Sequence, residues 1–589
     1  MSKPIADYAL IGDGLTAALV ANDGSIDWLC WPRFDSDALF AALLGAQTNG
    51  HWRIAPAGSV VRSARAYREE TMILDTTFET ESGVVRLTDF MPVGVPRHSA
   101  LVRIVTGLEG VVEMAWVLDL RFDYGSMPPW VTRSAGGIVG MVGSDLTVLR
   151  TDAPFEVTAE GARGRTRVFA GEVRTFTLQY GASCDEAPPP MDVATALAIT
   201  EGYWRDWIGH HDRPSDWPAA VRRSLLTLKA LIHAPTGGLV AAPTLGLPEQ
   251  PGGTMNWDYR YCWLRDSTFT LSALMNAGFR EEARAWIAWL LRAVGGLPDK
   301  MRIVYRLDGA RRLEEWEVPW LPGYEGCHPV RVGNAAAGQR QLDVYGEVLD
   351  TLQMADHTGL HSSAHAIELA RKLAEHVAMI WREPDQGMWE SRDAPQHYVY
   401  SKCMAWVAID RALKLPGALE GDARARFEML CAAMHREICE FGFDVQRDSF
   451  VQHYGSDRLD ASLLLLPLVG FLPASDPRMA STIAAIEREL MEGGLVRRQK
   501  ALQPDAEEGA FIACSCWLAD CMALQGRWGQ ARELFERVLA LRNDVGLLAE
   551  EFHVPSGRMI GNFPQALSHL ALVNTALGLC GPVMQRGGG

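Results

Sequence analysis

The stretch Val173-Arg-Thr-Phe-Thr-Leu-Gln-Tyr180, followed by Pro188-Pro-Pro190, divides the chain into two parts with different hydrophobic patterns. On its N-terminal side, short runs rich in Val, Thr and Phe recur between turn signals, as in Gly83–Phe90 and Ala100–Thr106. Nearly alternating apolar and polar residues are typical of half-buried strands. Residues 1–190 are therefore predicted to form an antiparallel β-sandwich.

Beyond the three prolines, the hydrophobic pattern takes the period of helices. A linker over residues 191–216 contains a predicted helix from Val193 to Ile208, and residues 217–589 form the second predicted domain. That domain contains about twelve predicted helices, near residues 217–233, 266–279, 281–294, 341–356, 363–381, 400–414, 421–440, 459–469, 477–491, 511–525, 528–542 and 563–577. Short connections alternate with long ones, which indicates helical hairpins. Six such hairpins predict an (α/α)6 barrel, an inner ring of helices within an outer ring, with every long loop at one end.

Composition limits the class of protein. The chain has 589 residues, of which 48% are hydrophobic and 22% charged, as expected for a soluble globular protein of at least two domains. Its formal net charge is −16 and it has no basic block, which argues against binding to nucleic acid. The longest apolar run, Leu463 to Leu472, is about half the roughly 20 residues that a membrane-spanning helix needs, so no membrane association is predicted.

The cysteines and the N-terminus indicate a cellular compartment. The eleven cysteines are scattered, which is typical of reduced thiols and not of a disulfide framework. Cys514, Cys516 and Cys521 lack paired histidines and are interpreted as buried helix thiols, not as zinc ligands. The first residues do not have the pattern of a signal peptide. A cytoplasmic protein without a metal or other cofactor is expected.

The long loops of the second domain collect aromatic and acidic side chains. Tryptophan is abundant, with 19 in the chain, and five lie in these loops: Trp257, Trp263, Trp316, Trp320 and Trp389. The carboxylates in or next to the loops include Asp258, Asp266, Glu315, Glu390, Glu508, Glu550 and Glu551. Loops that are longer than a simple connection requires are usually functional. A site is therefore predicted at the loop end of the barrel.

Aromatic rings, carboxylates and arginines together are typical of a sugar site. Aromatic faces stack on the apolar face of a pyranose, and carboxylates and arginines bind its hydroxyls. Hydrolysis of a glycosidic bond needs two carboxyl groups, one to protonate the leaving oxygen and one to activate water or attack carbon. An apolar neighbour such as Trp389 would help to raise the pKa of Glu390. The residues alone do not select the pair.

Ordered motifs along the whole chain resemble glycoside hydrolase family 15, the glucoamylase, glucodextranase and trehalase group, and most closely its bacterial and archaeal trehalase-like branch. The motifs are Asp7–Gly14, Gly24–Asp35, Trp257–Asp266, Gly387–Glu390, Tyr400–Lys402, Gly561–Ala566 and Ser568–Leu570. The resemblance implies a β-sandwich joined to an (α/α)6 barrel. It also implies exo-acting hydrolysis of an α-glucoside with inversion.

The resemblance also implies roles for individual residues. Glu390 matches the family's general acid and Glu550 its general base, although a shift of one residue would exchange Glu550 for Glu551. Arg265 and Asp266 match the pair that holds the glucosyl hydroxyls in the innermost subsite. Four further residues match the pocket wall less specifically: Trp257, Tyr261, Arg331 and Trp389. Glu508, in a nearby loop, is a further candidate for substrate contact.

Several alternatives stay open from the sequence. Trehalose is the preferred substrate, and α-1,4- and α-1,6-linked gluco-oligosaccharides are the others that suit the family. A glycoside phosphorylase would need only the acid, because phosphate replaces the activated water. A non-catalytic sugar-binding protein would retain the pocket without turnover. An exposed face of the sandwich would allow a homodimer.

Overall fold

The computed structural model describes residues 2–94, 99–295, 297–360, 363–500 and 508–581. Its N-terminal part is built from fifteen antiparallel strands. They are β1 (Tyr8–Gly12), β2 (Ala17–Ala21), β3 (Ser25–Cys30), β4 (Ala38–Phe40), β5 (His51–Pro56), β6 (Val60–Tyr67), β7 (Leu74–Thr80), β8 (Gly83–Phe90), β9 (Ala100–Asp119), β10 (Trp130–Ser134), β11 (Gly137–Val142), β12 (Asp145–Thr151), β13 (Glu156–Val157), β14 (Gly161–Phe169) and β15 (Val173–Ala182).

The long strand β9 joins two layers of this sheet domain. Its first half pairs with β8 and β15, and its second half pairs with β5 and β14. One layer continues from β5 through β3 and β2 to β1, and the other from β15 through β12 and β11 to β10. Side chains of both layers are buried, including Trp52 and Phe176. The predicted antiparallel β-sandwich is confirmed.

The remainder of the chain is mainly helical. A single turn, α1 (Phe122–Gly125), interrupts the sheet domain, and α2 (Val193–Ile208) follows it. The twelve helices after α2 are α3 (Pro218–Ala230), α4 (Leu264–Asn276), α5 (Glu281–Val294), α6 (Asp343–His357), α7 (Ala364–Ile380), α8 (Val399–Lys414), α9 (Gly421–Gly442), α10 (Leu465–Leu468), α11 (Pro477–Glu489), α12 (Ile512–Leu524), α13 (Trp528–Leu539) and α14 (Ala566–Gly578).

Six of these helices close an inner ring. Helix α4 contacts α6, and the contacts continue through α8, α10 and α12 to α14, which returns to α4. The inner helix α4 is buried along its whole length, whereas the outer helices α5 and α13 bury only one face. An amphipathic outer helix covers the apolar inner ring and leaves its polar face in water. The predicted (α/α)6 barrel is confirmed.

The helix order places all long loops at one end. Each long loop runs from the C-terminal end of an outer helix to the N-terminal end of the next inner helix, as between α7 and α8. One predicted helix differs: instead of a continuous helix over 459–469, a 3-10 turn at Ala461–Leu464 precedes the short α10. Pro467 lies within α10 and has no N–H to bond the carbonyl of residue 463, so a regular α-helix does not run from residue 459 into α10.

The long loops also carry short strands. These are β16 (Cys262–Trp263), β17 (Val304–Tyr305), β18 (Trp316–Glu317), β19 (Arg331–Val332), β20 (Phe443–Asp444), β21 (Ser449–Phe450), β22 (Met491–Glu492), β23 (Leu495–Val496), β24 (Ala510–Phe511), β25 (Glu551–His553) and β26 (Arg558–Ile560). Within the described ranges, no helix has the length and apolar character needed to cross a membrane.

A buried arginine joins the sheet domain to the first long loop. Arg260 is fully buried and forms a two-pronged ion pair with Asp258, with N–O distances of 2.9 and 2.7 Å. The same guanidinium donates to the Ser36 carbonyl (2.7 Å) and to the Tyr124 hydroxyl (2.9 Å) and contacts Cys30 Sγ (3.2 Å). A buried guanidinium is stable only when its donors are satisfied, so the sheet domain fixes the conformation of this loop.

Candidate active site

A cavity of about 280 Å³ opens at the loop end of the inner ring. Its lining residues come from four long loops and the first turn of α4: Ala241, Glu249, Met255, Trp257, Tyr259, Trp263, Arg265, Asp266, Asn334, Ala336, Trp389, Glu390, Ser391, Arg392, Asp393 and Arg498. Among the described residues, the sheet domain contributes no side chain to this lining. The cavity therefore lies where the convergence of the long loops predicts a functional site.

Glu390 lies at the end of a tight turn that points it into this cavity. Gly387 and Glu390 both have positive φ, 69° and 51°, and the Glu390 N–H contacts the Gly387 carbonyl at 3.3 Å. A Cβ at residue 387 would lie 2.9 Å from the Tyr398 ring, so only glycine fits there. Positive φ at a glutamate is strained, and strained residues of this kind cluster at functional sites.

The environment of Glu390 raises the pKa of its carboxyl group to about 7. Burial is the main cause, and the charge of Asp266 adds to it. The Arg265 guanidinium opposes the shift, because its Nη1 donates to Glu390 Oε1 at 2.7 Å. A carboxyl group with this pKa is partly protonated at neutral pH and can donate a proton.

Arg265 and Asp266 lie in the first turn of α4 and line the same cavity. The two side chains form an ion pair at 3.1 Å. Apart from this ion pair, neither oxygen of Asp266 has a hydrogen-bond partner among the described residues, although the side chain is buried. Buried acceptors without partners are rare and indicate a missing ligand or water. These oxygens are suited to accept hydrogen bonds from sugar hydroxyls.

Glu550 lies behind the cavity wall and contacts the lining residue Tyr259. The Tyr259 hydroxyl lies 2.6 Å from Glu550 Oε1 and 3.2 Å from Glu249 Oε1. Glu550 is itself buried, and burial and the charge of Glu249 raise its pKa well above the usual range, while the Tyr259 hydrogen bond lowers it. Gly561 must lack a side chain here, since a Cβ would lie 2.7 Å from the Glu550 carboxylate.

Glu551 points to a different group of charges. The Arg498 guanidinium lies 2.6 Å from Glu249 and 3.8 Å from Glu551, and it also bonds Glu508. The carboxylate oxygens of these three glutamates approach within 4.8 Å of one another, which would suit a cation. Arg498 already supplies the positive charge among them, so the cluster does not fit a metal ion.

Aromatic and charged side chains form the rest of the wall. Trp389 donates its indole N–H to Asp460 at 2.9 Å, which fixes the ring beside Glu390. Two guanidinium groups lie against the Trp257 ring, with Arg331 at 4.8 Å and Arg392 at 4.2 Å from its ring centre. Glu315 binds both arginines, at 3.8 Å from Arg331 and 2.6 Å from Arg392. These four residues, which we call the rim cluster, are Trp257, Glu315, Arg331 and Arg392.

The structure brings together most of the residues singled out in the sequence. Those that line the cavity are Trp257, Arg265, Asp266, Trp389 and Glu390. Glu550, Glu508 and Arg331 contact lining residues from outside, whereas Tyr261 lines a separate cavity against the sheet domain. Residues 505–507 of the fifth loop lie outside the described residues.

Residues of the site that were not among the candidates include Tyr259, Glu249, Arg392 and Arg498. Tyr259 belongs to the Trp257–Asp266 motif, and its position between Trp257 and Asp266 was the signal available for it. Glu249 and Arg498 are 249 residues apart in the chain, and neither lies in a motif. Only the closure of the ring brings them together.

An (α/α)6 barrel with carboxyl groups, aromatic rings and arginines in a closed loop-end cavity defines a carbohydrate-cleaving enzyme. The comparisons with known proteins agree. Residues 218–577 match the family described as glycosyl hydrolases family 15, and residues 1–182 match the domain described as trehalase-like, N-terminal. The chain belongs to glycosyl hydrolases family 15 and is a glycoside hydrolase.

Individual relatives are similar over almost their whole length. A trehalase of Mycobacterium tuberculosis is 37% identical, with 98% of this chain and 89% of that protein covered. A trehalase of Thermoplasma volcanium is 33% identical, with 97% and 92% covered. A crystal structure of a bacterial glucoamylase complexed with acarbose has a TM-score of 0.72 at 12% identity and covers 99% of this chain and 95% of that chain. The last similarity concerns the fold alone.

Proposed function

We propose that this glycoside hydrolase cleaves α,α-trehalose into two glucose molecules with inversion at the attacked carbon. Glu390 donates a proton to the bridging oxygen as the C–O bond breaks. Glu550 accepts a proton from the water whose oxygen bonds to the same anomeric carbon from the opposite face. Arg265 and Asp266 hold the hydroxyls of the glucosyl unit that is attacked.

The observation that carries this proposal is the position of Glu390, which lines the cavity and bonds to Arg265. A partly buried carboxyl group whose pKa is raised to about 7 suits a general acid. The substrate is supported by the similar trehalases, which match almost the whole chain. The volume of about 280 Å³ supports a small saccharide, because it lies below the roughly 300–1,000 Å³ of pockets for drug-sized ligands.

The stereochemistry of the products tests the proposal. Both anomeric carbons of trehalose are α. Inversion at one of them releases one β-glucose, while the other glucose leaves as the α-anomer. We expect NMR spectra recorded in the first minutes of hydrolysis to show both anomers in equal amounts. Formation of α-glucose alone would contradict inversion, and no turnover of trehalose beside rapid turnover of maltose or isomaltose would contradict the substrate.

The products of the same assay also distinguish the proposed hydrolase from a phosphorylase and from a non-catalytic sugar-binding protein. A phosphorylase would need inorganic phosphate and would form glucose 1-phosphate. A carboxylate at Glu550, close to the cavity through Tyr259, supports activation of water instead. A non-catalytic sugar-binding protein would bind trehalose without releasing glucose.

The rim cluster leads to a prediction about substrate affinity. Glu315 does not line the cavity, but it pairs with Arg392 and Arg331, whose guanidinium groups both lie against Trp257. We expect Glu315→Gln to raise KM for trehalose roughly tenfold with a smaller change in kcat, because loss of a hydrogen bond to a charged group costs about 1.5–3 kcal/mol. We also expect the rate on maltotriose relative to trehalose to increase. Steady-state kinetics on both sugars measure these changes.

A matched control is available two residues further on. Glu317 is exposed and lies in the short strand β18, which begins directly after Glu315; its backbone pairs with that of Arg331, but its side chain is not one of the rim cluster. Glu317→Gln should leave both kinetic constants unchanged. If Glu317→Gln and Glu315→Gln have equal effects, the rim cluster does not determine affinity.

Tyr259 is proposed to position and tune Glu550. Its hydroxyl donates to the Glu550 carboxylate and so stabilises the ionised form, which lowers the pKa of Glu550. The base acts only when ionised, so activity is lost as the pH falls through this pKa. We therefore expect Tyr259→Phe to shift the acidic limb of the kcat/KM profile to higher pH and to lower its maximum roughly 10- to 100-fold. An acidic limb at the wild-type pH would show that Tyr259 acts only as packing.

We further propose a cytoplasmic enzyme that binds no nucleic acid and forms a homodimer. The net charge of −16 disfavours contact with phosphate backbones. Cys184 is the exposed thiol among eleven free cysteines, which suits a reducing compartment. Trp130 and Met141 pair across β10 and β11 and are 82% and 40% exposed, which supports a contact between two copies. Light scattering measures the mass in solution, and a monomer at all concentrations would contradict the dimer.

A further inference from the structure

A second cavity lies between the sheet domain and the barrel. It has a volume of about 620 Å³, larger than the catalytic cavity, and we call it the interface cavity. The sheet domain contributes Trp31, Tyr124, Asp145 and Tyr180, and the long loops contribute Tyr261 and Trp316. The proposed hydrolysis of trehalose does not use it.

Aromatic rings stand on both sides of the interface cavity. Trp31 and Tyr180 of the sheet domain are 5.8 Å apart between ring centres. Tyr124 and Trp316 meet edge to face at 6.0 Å. Trp316 remains 40% exposed, although removing the apolar surface of a tryptophan from water is favourable. An apolar ligand face against these rings would remove that surface from water.

The charged groups of the interface cavity are suited to a neutral, hydroxyl-rich ligand. Five carboxylates and two guanidinium groups line it, which disfavours an anion. The Asp35 carboxylate is already paired with Arg306 at 3.2 Å. Within the described part of the chain, the one set of three or more His, Cys, Asp and Glu side chains close enough for a metal ion surrounds Arg498, so no three of these carboxylates are that close together. Separate acceptors beside aromatic rings match the hydroxyls and the apolar face of a sugar.

Two segments of the chain contribute to both cavities. In the first, Tyr259 lines the catalytic cavity and Tyr261 the interface cavity. In the second, Glu314 and Trp316 line the interface cavity while Glu315 between them binds Arg392 at the catalytic rim. A ligand in one cavity therefore contacts segments that shape the other.

We propose that the interface cavity is a second saccharide site, which binds a glucose unit between the two aromatic pairs and changes turnover in the catalytic cavity. This inference goes beyond the proposed hydrolysis of trehalose. Glucose, the product of that reaction, is the simplest ligand of this class and is not consumed by the enzyme.

Equilibrium dialysis of the full chain against radiolabelled glucose counts the sites. We expect two bound glucose molecules per wild-type chain. Ser144→Trp fills the interface cavity from the turn between β11 and β12, and Asp266→Asn weakens the catalytic site; each should leave one bound glucose. The matched control Ser82→Trp, on another exposed hairpin turn outside both cavities, should retain two. One glucose per wild-type chain, or two in Ser144→Trp, would overturn the proposal.

Product inhibition gives a second readout. Glucose in the catalytic cavity alone competes with substrate and raises only KM. With the interface cavity also occupied, we expect glucose to lower kcat as well, and Ser144→Trp to restore purely competitive inhibition. Purely competitive inhibition of the wild type would overturn the coupling. The dialysis result does not depend on trehalose, so failure of the trehalose assay and failure of the second site are distinguishable.

Discussion

We expect Glu390→Gln to lower kcat for trehalose roughly 100- to 10,000-fold, the range that general acid catalysis contributes. Glutamine keeps the size of the side chain and the hydrogen bond to Arg265, but it has no acidic proton for the bridging oxygen. KM should change little, because binding of the sugar does not require this proton. Initial-rate measurements of glucose release give both constants.

Two readouts distinguish loss of the acid from loss of structure. The first is the pH profile: wild-type kcat/KM should fall as the pH rises past about 7, where Glu390 loses its proton, and the variant should lack this limb. The second is α-glucosyl fluoride, since fluoride leaves without receiving a proton first. The variant should hydrolyse this substrate at a rate much closer to that of the wild type.

The matched control for this variant is Glu383→Gln. Glu383 lies on the same long loop as Glu390, and it is partly exposed and paired with Arg340 at the surface. Surface ion pairs contribute little to stability, so this substitution should leave activity intact. Trehalose turnover by Glu390→Gln at the wild-type rate would rule out Glu390 as the acid.

The second large effect is expected at Glu550. Glu550→Gln should lower kcat roughly 100- to 10,000-fold, because the attacking water no longer transfers its proton to a base. Unlike the acid variant, it should be equally impaired on α-glucosyl fluoride, since attack by water is still required. This opposite response separates the two roles without a structure of the complex.

Comparison with Glu551→Gln decides between the neighbouring glutamates. The Glu551 carboxylate faces Arg498 and not Tyr259, so its loss should reduce activity by less than about tenfold. In Glu550→Ala, azide can attack the anomeric carbon in place of the activated water. We expect formation of β-glucosyl azide there and not in Glu551→Ala. Inactivity of Glu551→Gln beside an active Glu550→Gln would assign the base to Glu551.

Much of the fold could be predicted because its signals are local. Apolar periodicity located α5 and α9 closely, and Val–Thr–Phe alternation located β8 and β15. The interruption before α10 was missed, because an apolar run does not distinguish a 3-10 turn from an α-helix. The alternation of short and long loops predicted the ring of helices, since six helical hairpins that form a ring have their long connections at one end.

The site was predictable only where a motif contains it. Glu390 follows Gly387, whose positive φ and whose closeness to the Tyr398 ring require a glycine. The sequence therefore contains a short motif that marks this turn. Tyr261 and Tyr259 lie two residues apart, but an irregular extended segment directs one to the sheet domain and the other to Glu550. The position of Arg498 depends on the closure of the whole ring, which no stretch of sequence contains.

The ion pair of Arg260 with Asp258 has a consequence for the order of folding. The partners that fix Arg260 from the sheet domain, Cys30, Ser36 and Tyr124, all precede it in the chain. Because domains usually fold during synthesis from the N-terminus, the sheet domain can be complete before the ribosome adds Arg260. The folded sheet domain, about the first third of the chain, then provides the contacts against which the loop carrying Tyr259 folds. In a barrel made without the sheet domain, Arg260 would lose these three partners, and the loop that carries Tyr259 would lose the contacts that fix its conformation.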